Sequence, residues 1–384
     1  MIYLDNAAST RIHHNVYESM LPYLQDQYGN ASSIHRFGRL NKKAIEKARK
    51  QIASLIGAQP SEIFFTSGGT ESNNAVLNGS VPSNGGHIIT SSVEHDAILE
   101  PCKRLSDNGT EITYLPVDKF GMIDTKQLED KISTQTNLVS IMFGNNEVGT
   151  IQPILEISKI CRNYDVPFHT DAVQVVGKLP IDVNHLGIDL MSVSSHKLYG
   201  PKGIGALFVR NGLKISPFIL GGGQEHGFRS GTESVPNIVG FGTACELAQK
   251  NIQPNLVNLQ DLQESLITQI LREISFVTLN GHPKKRIPNN THFTFLGVNG
   301  EDLIIKLDEY GIAASTGSAC SINTQKASHV LQAMNFSHEQ ITGSLRLSLG
   351  IFNTQQEINE TIKILKKTVE ELRSVSPYKD KYSF

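Results

Sequence analysis

The sequence predicts an α/β protein with a mainly parallel sheet, followed by a smaller α+β region. Short apolar runs alternate with helical segments up to about residue 209, and several runs are apolar on both faces. Strands buried on both faces and separated by helices are typical of parallel sheets, which bind ligands at the carboxyl ends of their strands. After about residue 245, a long helical stretch is followed by segments of period-two character, which favour a separate α+β unit.

The individual elements follow from the spacing of the apolar residues. An amphipathic helix is predicted over residues 38–57, because residues such as Ile45 and Ile52 recur at three- and four-residue steps and Gly57 can end it. Residues 374–384 are interpreted as a polar tail. The predicted strands are residues 63–65, 87–90, 138–143, 166–170, 190–194, 206–209, 291–295 and 344–349. One face of the last helix carries Ile358, Ile362, Leu365, Val369 and Leu372.

The composition is that of a globular protein without a bias towards a charged partner. The chain has 384 residues, 39% of them hydrophobic, and its 35 basic and 37 acidic side chains give a formal net charge of -2. Because there is no basic excess, direct binding to nucleic acid or to an anionic membrane is not expected. No apolar stretch has the length of a membrane span. The length suggests two domains, or a large domain and a smaller one.

The cysteines and the first residues indicate a reducing compartment. The four cysteines are separated by tens of residues and form no CxxC pair, so neither a disulfide framework nor a metal site is predicted. They are Cys102, Cys161, Cys245 and Cys320. The opening residues, MIYLDNAAST, have no basic segment followed by an apolar stretch. We therefore expect no secretory signal and a cytoplasmic location.

A glycine-containing turn follows the first predicted strand. Residues 63–74 read IFFTSGGTESNN, which is a strand, a turn with two glycines and a helix that opens with Thr70 and Glu71. The free amides and the positive end of such a helix can hold a phosphate. Turns of this kind are also common structural connections, so the turn alone leaves both interpretations open. Neither of the nucleotide-binding patterns GxxxxGK[ST] and GxGxxG occurs here.

Two charged residues stand at the ends of later predicted strands. Asp171, in VPFHTDAVQVVGK, either faces a ligand or caps a helix. Lys197, in MSVSSHKLYGPKGIG, is either a solvated surface lysine or one partly buried by Tyr199 and the turn that follows. In the second case its lowered pKa would let it form a Schiff base. A phosphate-binding turn, an aspartate and a lysine are together the groups that pyridoxal 5'-phosphate (PLP) requires.

The motif around this lysine resembles that of a known family. The run SSHKLYGPKGIGAL is similar to the PLP-lysine signature of the class-V aminotransferases and, among them, of the cysteine desulfurases. The other family motifs occur in the expected order, as YLDNAAST, YGNASSIHRFG, FFTSGGTESNN, NNEVGTIQP, HTDAVQ, GGGQEHGFRSGT and ASTGSACS. This resemblance covers nearly the whole chain. It implies fold type I of the PLP-dependent transferases, with a mainly parallel seven-stranded sheet in a large domain and a smaller α+β carboxyl-terminal domain.

The resemblance also implies a division of the chain. Residues 1–14 would form an arm that joins the small domain, residues 15–255 the large PLP-binding domain, and residues 256–384 the small domain with the catalytic cysteine loop. The chain departs from the family pattern in two places. Gln224 stands where some relatives have histidine, and the tail after Pro377 is short compared with relatives whose tail docks a cluster scaffold. The identity of the sulfur acceptor therefore stays open.

Roles in cofactor binding follow from the same resemblance. Lys197 would form the Schiff base, and Asp171 would pair with the pyridine nitrogen. Gln174 would contact the ring hydroxyl, and His95 would stack on the ring and could move protons. The groups that hold the phosphate would be Gly69, Thr70, Ser194, His196 and, from the neighbouring subunit, Thr232. A homodimer is therefore expected.

Three further residues would act on the substrate. Asn146 would face both cofactor and substrate, and Arg346 would clamp the substrate carboxylate, for which a guanidinium is suited. The alternative for Arg346 is a salt bridge on a strand face. Cys320 lies in a small, polar segment, and in the family the matching cysteine attacks the substrate sulfur as a thiolate. The residues between Cys320 and Leu331 resemble the longer loop of members that hand sulfur to acceptor proteins.

The resemblance thus implies an L-cysteine desulfurase. Such an enzyme releases L-alanine and leaves a persulfide on Cys320, for transfer to an acceptor such as an iron–sulfur cluster scaffold or for tRNA thiolation. One alternative is a selenocysteine lyase or another class-V aminotransferase, in which Cys320 would be dispensable. Another is a scaffold without catalysis, against which the presence of Lys197 argues.

Overall fold

The computed structural model describes residues 1–82, 85–317 and 327–382. The strands of these residues are, in chain order, β1 (Ile2–Tyr3), β2 (Ile63–Thr66), β3 (His87–Ser91), β4 (Glu111–Leu115), β5 (Thr136–Ser140), β6 (Phe168–Asp171), β7 (Leu190–Ser194), β8 (Gly205–Val209), β9 (Val277–Leu279), β10 (Asn290–Phe295), β11 (Ile312–Ala313) and β12 (Ser344–Ser348). The α-helices are α1 (His14–Gln25), α2 (Arg36–Ile56), α3 (Gly69–Ser80), α4 (Asp96–Asp107), α5 (Thr125–Lys131), α6 (Ile154–Asn163), α7 (Val183–Leu186), α8 (Val235–Glu273), α9 (Gly300–Glu309), α10 (His329–Ala333), α11 (His338–Thr342) and α12 (Gln355–Val375).

The main sheet confirms the predicted α/β architecture. It has seven strands in the order β2-β8-β7-β6-β5-β3-β4. The strands from β7 to β4 run parallel, whereas β8 is antiparallel to both of its neighbours. The central strands are buried along their whole length, because helices cover both faces. Because β6 and β7 are parallel neighbours, they end side by side at Asp171 and Ser194, which is where a ligand site is expected.

Alternate residues of these strands point into two separate cores. Side chains on one face pack with the helices that include α2 and α6, and Ile89, Val139, Met191 and Phe208 belong to this core. On the other face a smaller core includes residues of α3 and α4, together with Ile88, Leu138, Leu190 and Leu207. The predicted helix over residues 38–57 is α2, which ends at Gly57 in the left-handed conformation, with φ of 72°.

A smaller α+β region follows the main sheet, as predicted. Its three-stranded antiparallel sheet has the order β12-β10-β9 and packs with α9, α12 and the second half of α8 around a third core. The amino-terminal residues join this region, because β1 pairs with β11 in parallel. Helix α8 runs from the first core, at Phe241, to the third core, at Ile270. The predicted limit at residue 255 falls inside this helix, and the domain limits stay a prediction.

Four of the described strands were not predicted, and one predicted segment differs from the structure. Three of these strands, β1, β9 and β11, have only two or three residues. The fourth, β4, is an edge strand that leaves polar and aromatic side chains such as Glu111 and Tyr114 exposed and lacks an apolar run. The interpretation of residues 374–384 as a polar tail is wrong for Tyr382. This side chain is buried, and its ring packs edge-on against Phe276, with 5.2 Å between the centroids. Among the described helices, none combines the length and apolar character that crossing a membrane requires.

Candidate active site

A cavity of about 270 Å³ lies at the carboxyl ends of β6 and β7. It brings together most of the site residues predicted from the sequence. Those that line it are Gly69, Thr70, His95, Asn146, Asp171, Gln174, Ser194, His196, Lys197 and Arg346. Two predicted residues are not among them. Thr232 is exposed elsewhere on the same chain, and Cys320 lies outside the described residues.

The start of α3 forms one end of the cavity. Gly69 and Thr70 are the first two residues of this helix and line the cavity. The hydroxyls of Thr66 and Ser72 lie 2.8 Å apart and hold the turn before it. A Cβ at Gly69 would lie 2.7 Å from Cγ2 of Val173, so only glycine fits without a shift. The unpaired amides of the first helical turn make this end suitable for a phosphate group.

Asp171 is a buried carboxylate held by two hydrogen bonds. Its Oδ2 accepts from Nδ2 of Asn73 at 2.7 Å, and its Oδ1 accepts from the backbone N–H of Val173 at 3.0 Å. Asp171 therefore caps a local turn rather than a helix, since the next described helix begins at Val183, and its side chain also lines the cavity. A carboxylate fixed in this way can pair with a protonated ring nitrogen.

Lys197 extends from the turn after β7 towards the amino-terminal segment. Its Nζ donates to the carbonyl oxygens of Ala7, at 2.6 Å, and Ala8, at 2.7 Å. Nε2 of Gln174 donates to the same carbonyl of Ala7 at 2.9 Å. The Lys197 side chain is half-buried, as the Schiff-base interpretation requires. Burial and then the positive charge of Lys197 lower the pKa of the neighbouring Lys178 to about 7.

Two histidines face the cavity from different elements. His95 caps α4, with its Nδ1 accepting from the backbone N–H of Ala97 at 3.0 Å. Burial and then the charges of nearby lysines lower the pKa of His196 to about 4, so this ring is neutral at physiological pH. Glu94, next to His95, is fully buried, and burial raises its pKa to about 8. Nothing in the sequence pattern pointed to this protonated carboxyl group.

Arg346 of β12 lines the cavity from the small α+β region. Its Nη1 donates to the carbonyl oxygens of Asn146, at 2.8 Å, and Gly317, at 3.3 Å. Its Nη2 donates to Oδ1 of Asp5 at 2.9 Å. Arg346 thus forms the salt bridge of the second interpretation and also lines the cavity, while its role as a carboxylate clamp stays a prediction. Its Nε is buried without a hydrogen-bond partner in the described part of the chain.

Sequence reasoning missed the contribution of the amino-terminal segment. Asp5, Ala7 and Ala8 belong to the motif YLDNAAST, which supported the resemblance without a role for any single residue. The alanines act through backbone carbonyls, which leave no signature in the side-chain pattern. Asn73 was also missed, although it lies in the same helix as the predicted Thr70.

Comparison with known proteins agrees with this geometry. Residues 2–360 match the family model for Aminotransferase class-V. A protein named Cysteine desulfurase IscS, from Dictyoglomus turgidum, is 50% identical over 384 residues, or 99% of this chain and 98% of that protein. A solved NifS-like protein has a TM-score of 0.91 at 36% identity, covering 97% of this chain and 100% of the other. The solved complex of SspA with cysteine has a TM-score of 0.80 at 37% identity, covering 92% and 100%.

The fold and the cavity therefore define a PLP-dependent enzyme of the class-V type. Within this class, the chain belongs to the cysteine desulfurase family, which confirms the resemblance drawn from the sequence motifs. The residues present fit the cofactor. Asp171 offers a buried carboxylate for the ring nitrogen, Lys197 a primary amine, and the start of α3 an anion site that a Cβ at Gly69 would disturb.

Proposed function

We propose that this protein is an L-cysteine desulfurase that passes sulfur to an acceptor through Cys320. The observation that carries the proposal is the cavity itself, which surrounds one space with Lys197, Asp171 and the buried Arg346. These groups suit an aldehyde, a protonated ring nitrogen and a carboxylate, which PLP and an amino acid together present. The names of its relatives, and the complex of one relative with cysteine, support cysteine as the substrate.

Arg346 is the group that binds the substrate carboxylate. Its Nη1 and Nη2 are held by hydrogen bonds to Asn146 and Asp5, so the guanidinium plane is fixed. Its Nε has no partner among the residues described, and an unpaired buried N–H costs about 1–3 kcal/mol. A carboxylate oxygen would satisfy it with a charge-assisted hydrogen bond.

Lys197 and His95 are the groups that move protons. Bound PLP supplies the electron sink that stabilises negative charge at the substrate α-carbon. Nζ of Lys197 takes the proton from that carbon, and the carbonyls of Ala7 and Ala8 hold this nitrogen within the cavity. The imidazole of His95 lines the same cavity and is a second group that can carry a proton there.

The thiolate of Cys320 attacks the substrate sulfur. An S–S bond forms while the C–S bond breaks, and the electron pair of that bond stays with the carbon skeleton. The skeleton then takes up protons and leaves as L-alanine. The terminal sulfur of the Cys320 persulfide passes to an acceptor, such as an iron–sulfur cluster scaffold or a protein of tRNA thiolation.

A cytoplasmic homodimer is the proposed working form. Thr232 is exposed and does not line the cavity of its own chain, which supports its predicted role at the phosphate of a neighbouring subunit. The described cysteines are buried free thiols, which suits a reducing compartment.

The first test is a turnover assay on the purified protein. Wild type, Lys197→Ala and Cys320→Ser are incubated with L-cysteine and a reductant, and PLP absorbance, sulfide and alanine are recorded. We expect equal sulfide and alanine from the wild type and no turnover from Lys197→Ala. Cys320→Ser should keep the PLP chromophore but form no protein-bound persulfide.

Two results would overturn the proposal. Unchanged turnover in Cys320→Ser would show that the cysteine is dispensable. Alanine release from selenocysteine but not from cysteine would identify a selenocysteine lyase instead. Size-exclusion chromatography with light scattering tests the dimer separately, since a monomeric holoenzyme with full activity would exclude the role of Thr232.

A further inference from the structure

An ion pair lies directly behind the phosphate end of the cavity. Glu71 follows Thr70, which lines the cavity, in the first turn of α3. Nε of Arg229 donates to Oε1 of Glu71 at 2.8 Å, and its Nη2 donates to Oε2 at 3.1 Å. Neither Glu71 nor Arg229 lines the cavity. The pair therefore lies next to the cavity lining without being part of it.

Glu71 also closes that turn. Its Oε2 accepts a hydrogen bond from the backbone N–H of Ser67 at 2.8 Å. Burial opposes ionisation of the carboxyl group, but the hydrogen bonds from Arg229 and Ser67 outweigh it and hold the pKa of Glu71 below its ordinary value. A full negative charge therefore sits within one helical turn of the residues that would face the phosphate.

This charge creates an electrostatic conflict. A phosphate monoester carries a charge of about -1.5 to -2 at neutral pH, and the start of a helix attracts it through exposed N–H groups and the helix dipole. An unpaired carboxylate at the same place would repel it and cancel the attraction. The two-pronged contact with Arg229 neutralises Glu71 without removing its hydrogen bond to Ser67.

Arg229 is held in place independently of Glu71. The ring of the preceding residue, Phe228, packs against Phe64 of β2 with 4.8 Å between the centroids. Arg229 also forms a backbone bridge with Ile219. The segment is therefore fixed to the sheet, and the guanidinium is presented to Glu71 from a rigid support.

We propose that Arg229 is a positioning residue for the cofactor phosphate. By neutralising Glu71, it lets this carboxylate close the turn before α3 without repelling the phosphate. The proposal adds a positioning residue to the cofactor site described above. It depends on PLP being the cofactor but not on cysteine being the substrate. Failure of the turnover assay would leave it standing, because its test measures binding.

The experiment titrates apoprotein with PLP and with pyridoxal, which lacks the phosphate, and follows absorbance. Arg229→Met should weaken PLP binding at least about tenfold, because the charge of Glu71 is then no longer neutralised beside the phosphate. Its affinity for pyridoxal should be unchanged. The double variant Arg229→Met/Glu71→Gln should regain PLP affinity to within about threefold of wild type, because glutamine keeps an acceptor for Ser67 without the charge.

A matched control removes another arginine of similar exposure. Arg210 pairs with Asp189 at 3.2 Å, and its side chain is 29% exposed, against 26% for Arg229. Arg210→Met should bind PLP as wild type does. Equal loss of PLP and pyridoxal binding in Arg229→Met, or a double variant no better than Arg229→Met, would overturn the proposal. Arg229→Lys keeps the positive charge but loses the two-pronged contact of the guanidinium with Glu71. It provides a second measurement if the methionine variant does not fold.

Discussion

The phosphate end of the cavity is built from residues that follow two strand ends, whereas the substrate end is assembled from distant parts of the chain. Gly69 and Thr70 begin α3 shortly after the end of β2, Ser194 is the last residue of β7, and His196 follows it by two positions. At the other end, Arg346 contacts Asp5, which is 341 positions away in the sequence. A short motif can specify the first kind of site, while the second exists only when the small region has folded against the amino-terminal segment.

This difference implies that the two ends can be disturbed separately. Changes at the phosphate end should alter the affinity for PLP, and changes at the substrate end should alter kinetics with cysteine while the cofactor stays bound. Four predictions follow from this difference, and each names an outcome that would contradict it.

The largest effect is expected for Arg346→Met. Loss of the guanidinium removes the charge-assisted hydrogen bonds to the substrate carboxylate, so kcat/KM for L-cysteine should fall about 100-fold or more. The PLP content, measured by absorbance, should stay that of wild type. Arg373→Met is the matched control, because Arg373 is also buried but does not line the cavity. Joint loss of PLP and activity in Arg346→Met would show that the substrate end supports the cofactor.

Gly69→Ala should act on the opposite end. The new Cβ would lie 2.7 Å from Cγ2 of Val173, and overpacking of this kind costs about 1–3 kcal/mol. We expect PLP affinity to fall about tenfold, with KM for cysteine unchanged once the protein is saturated with PLP. Gly79→Ala, at the far end of the same helix, would meet the carbonyl of Ser216 at 2.6 Å and should reduce stability alone. A raised KM in saturated Gly69→Ala would contradict the separation.

Asp5→Asn should have a smaller effect at the substrate end. The asparagine keeps an oxygen to accept from Nη2 of Arg346 but removes a negative charge beside the incoming carboxylate. We therefore expect KM for L-cysteine, and the inhibition constant for L-alanine, to fall about fivefold, as judged by steady-state kinetics. A KM that instead rises with unchanged PLP content would show that Asp5 contacts the substrate amine directly.

The smallest effect concerns stability in acid. Burial and then the charge of Arg346 lower the pKa of His292, near the substrate end, to about 3, and burial also lowers the pKa of His169 to about 3. Each unfolded histidine binds a proton below about pH 6.5 while the folded one does not, so folding stability is fullest above that pH and falls as acid is added. The slope is about 1.4 kcal/mol per pH unit for each residue.

Urea unfolding between pH 7.5 and pH 5 checks this prediction. His292→Asn should lose less stability over that range than wild type, because one of the titrating groups is gone. A variant with the same slope as wild type would show that His292 is protonated in the folded protein. His169→Asn, in the centre of the main sheet, is the comparison that separates acid sensitivity of the substrate end from that of the sheet.

The sequence predicted the main sheet well because its strands are buried on both faces and read as apolar runs. It failed at β4, where the edge of the sheet leaves side chains such as Tyr114 in solvent. It also failed at Tyr382, whose burial depends on Phe276 and on the close approach of Gly297. Both failures have one cause. Whether a side chain in a short or isolated segment is buried or exposed depends on what packs against it.

By itself, the sequence determined the fold class and the cofactor constellation, because Asp171 and Lys197 each follow a strand that places them at the same edge of the sheet. The residues that contact the site residues from distant parts of the chain were decided by the tertiary structure alone. The carbonyls of Ala7 and Ala8 reach Lys197 across about 190 positions, and Arg229 reaches Glu71 across 158. Contacts over such separations depend on how whole elements pack. Backbone carbonyls and paired charges produce no periodic pattern in the sequence, so these contacts cannot be predicted from it.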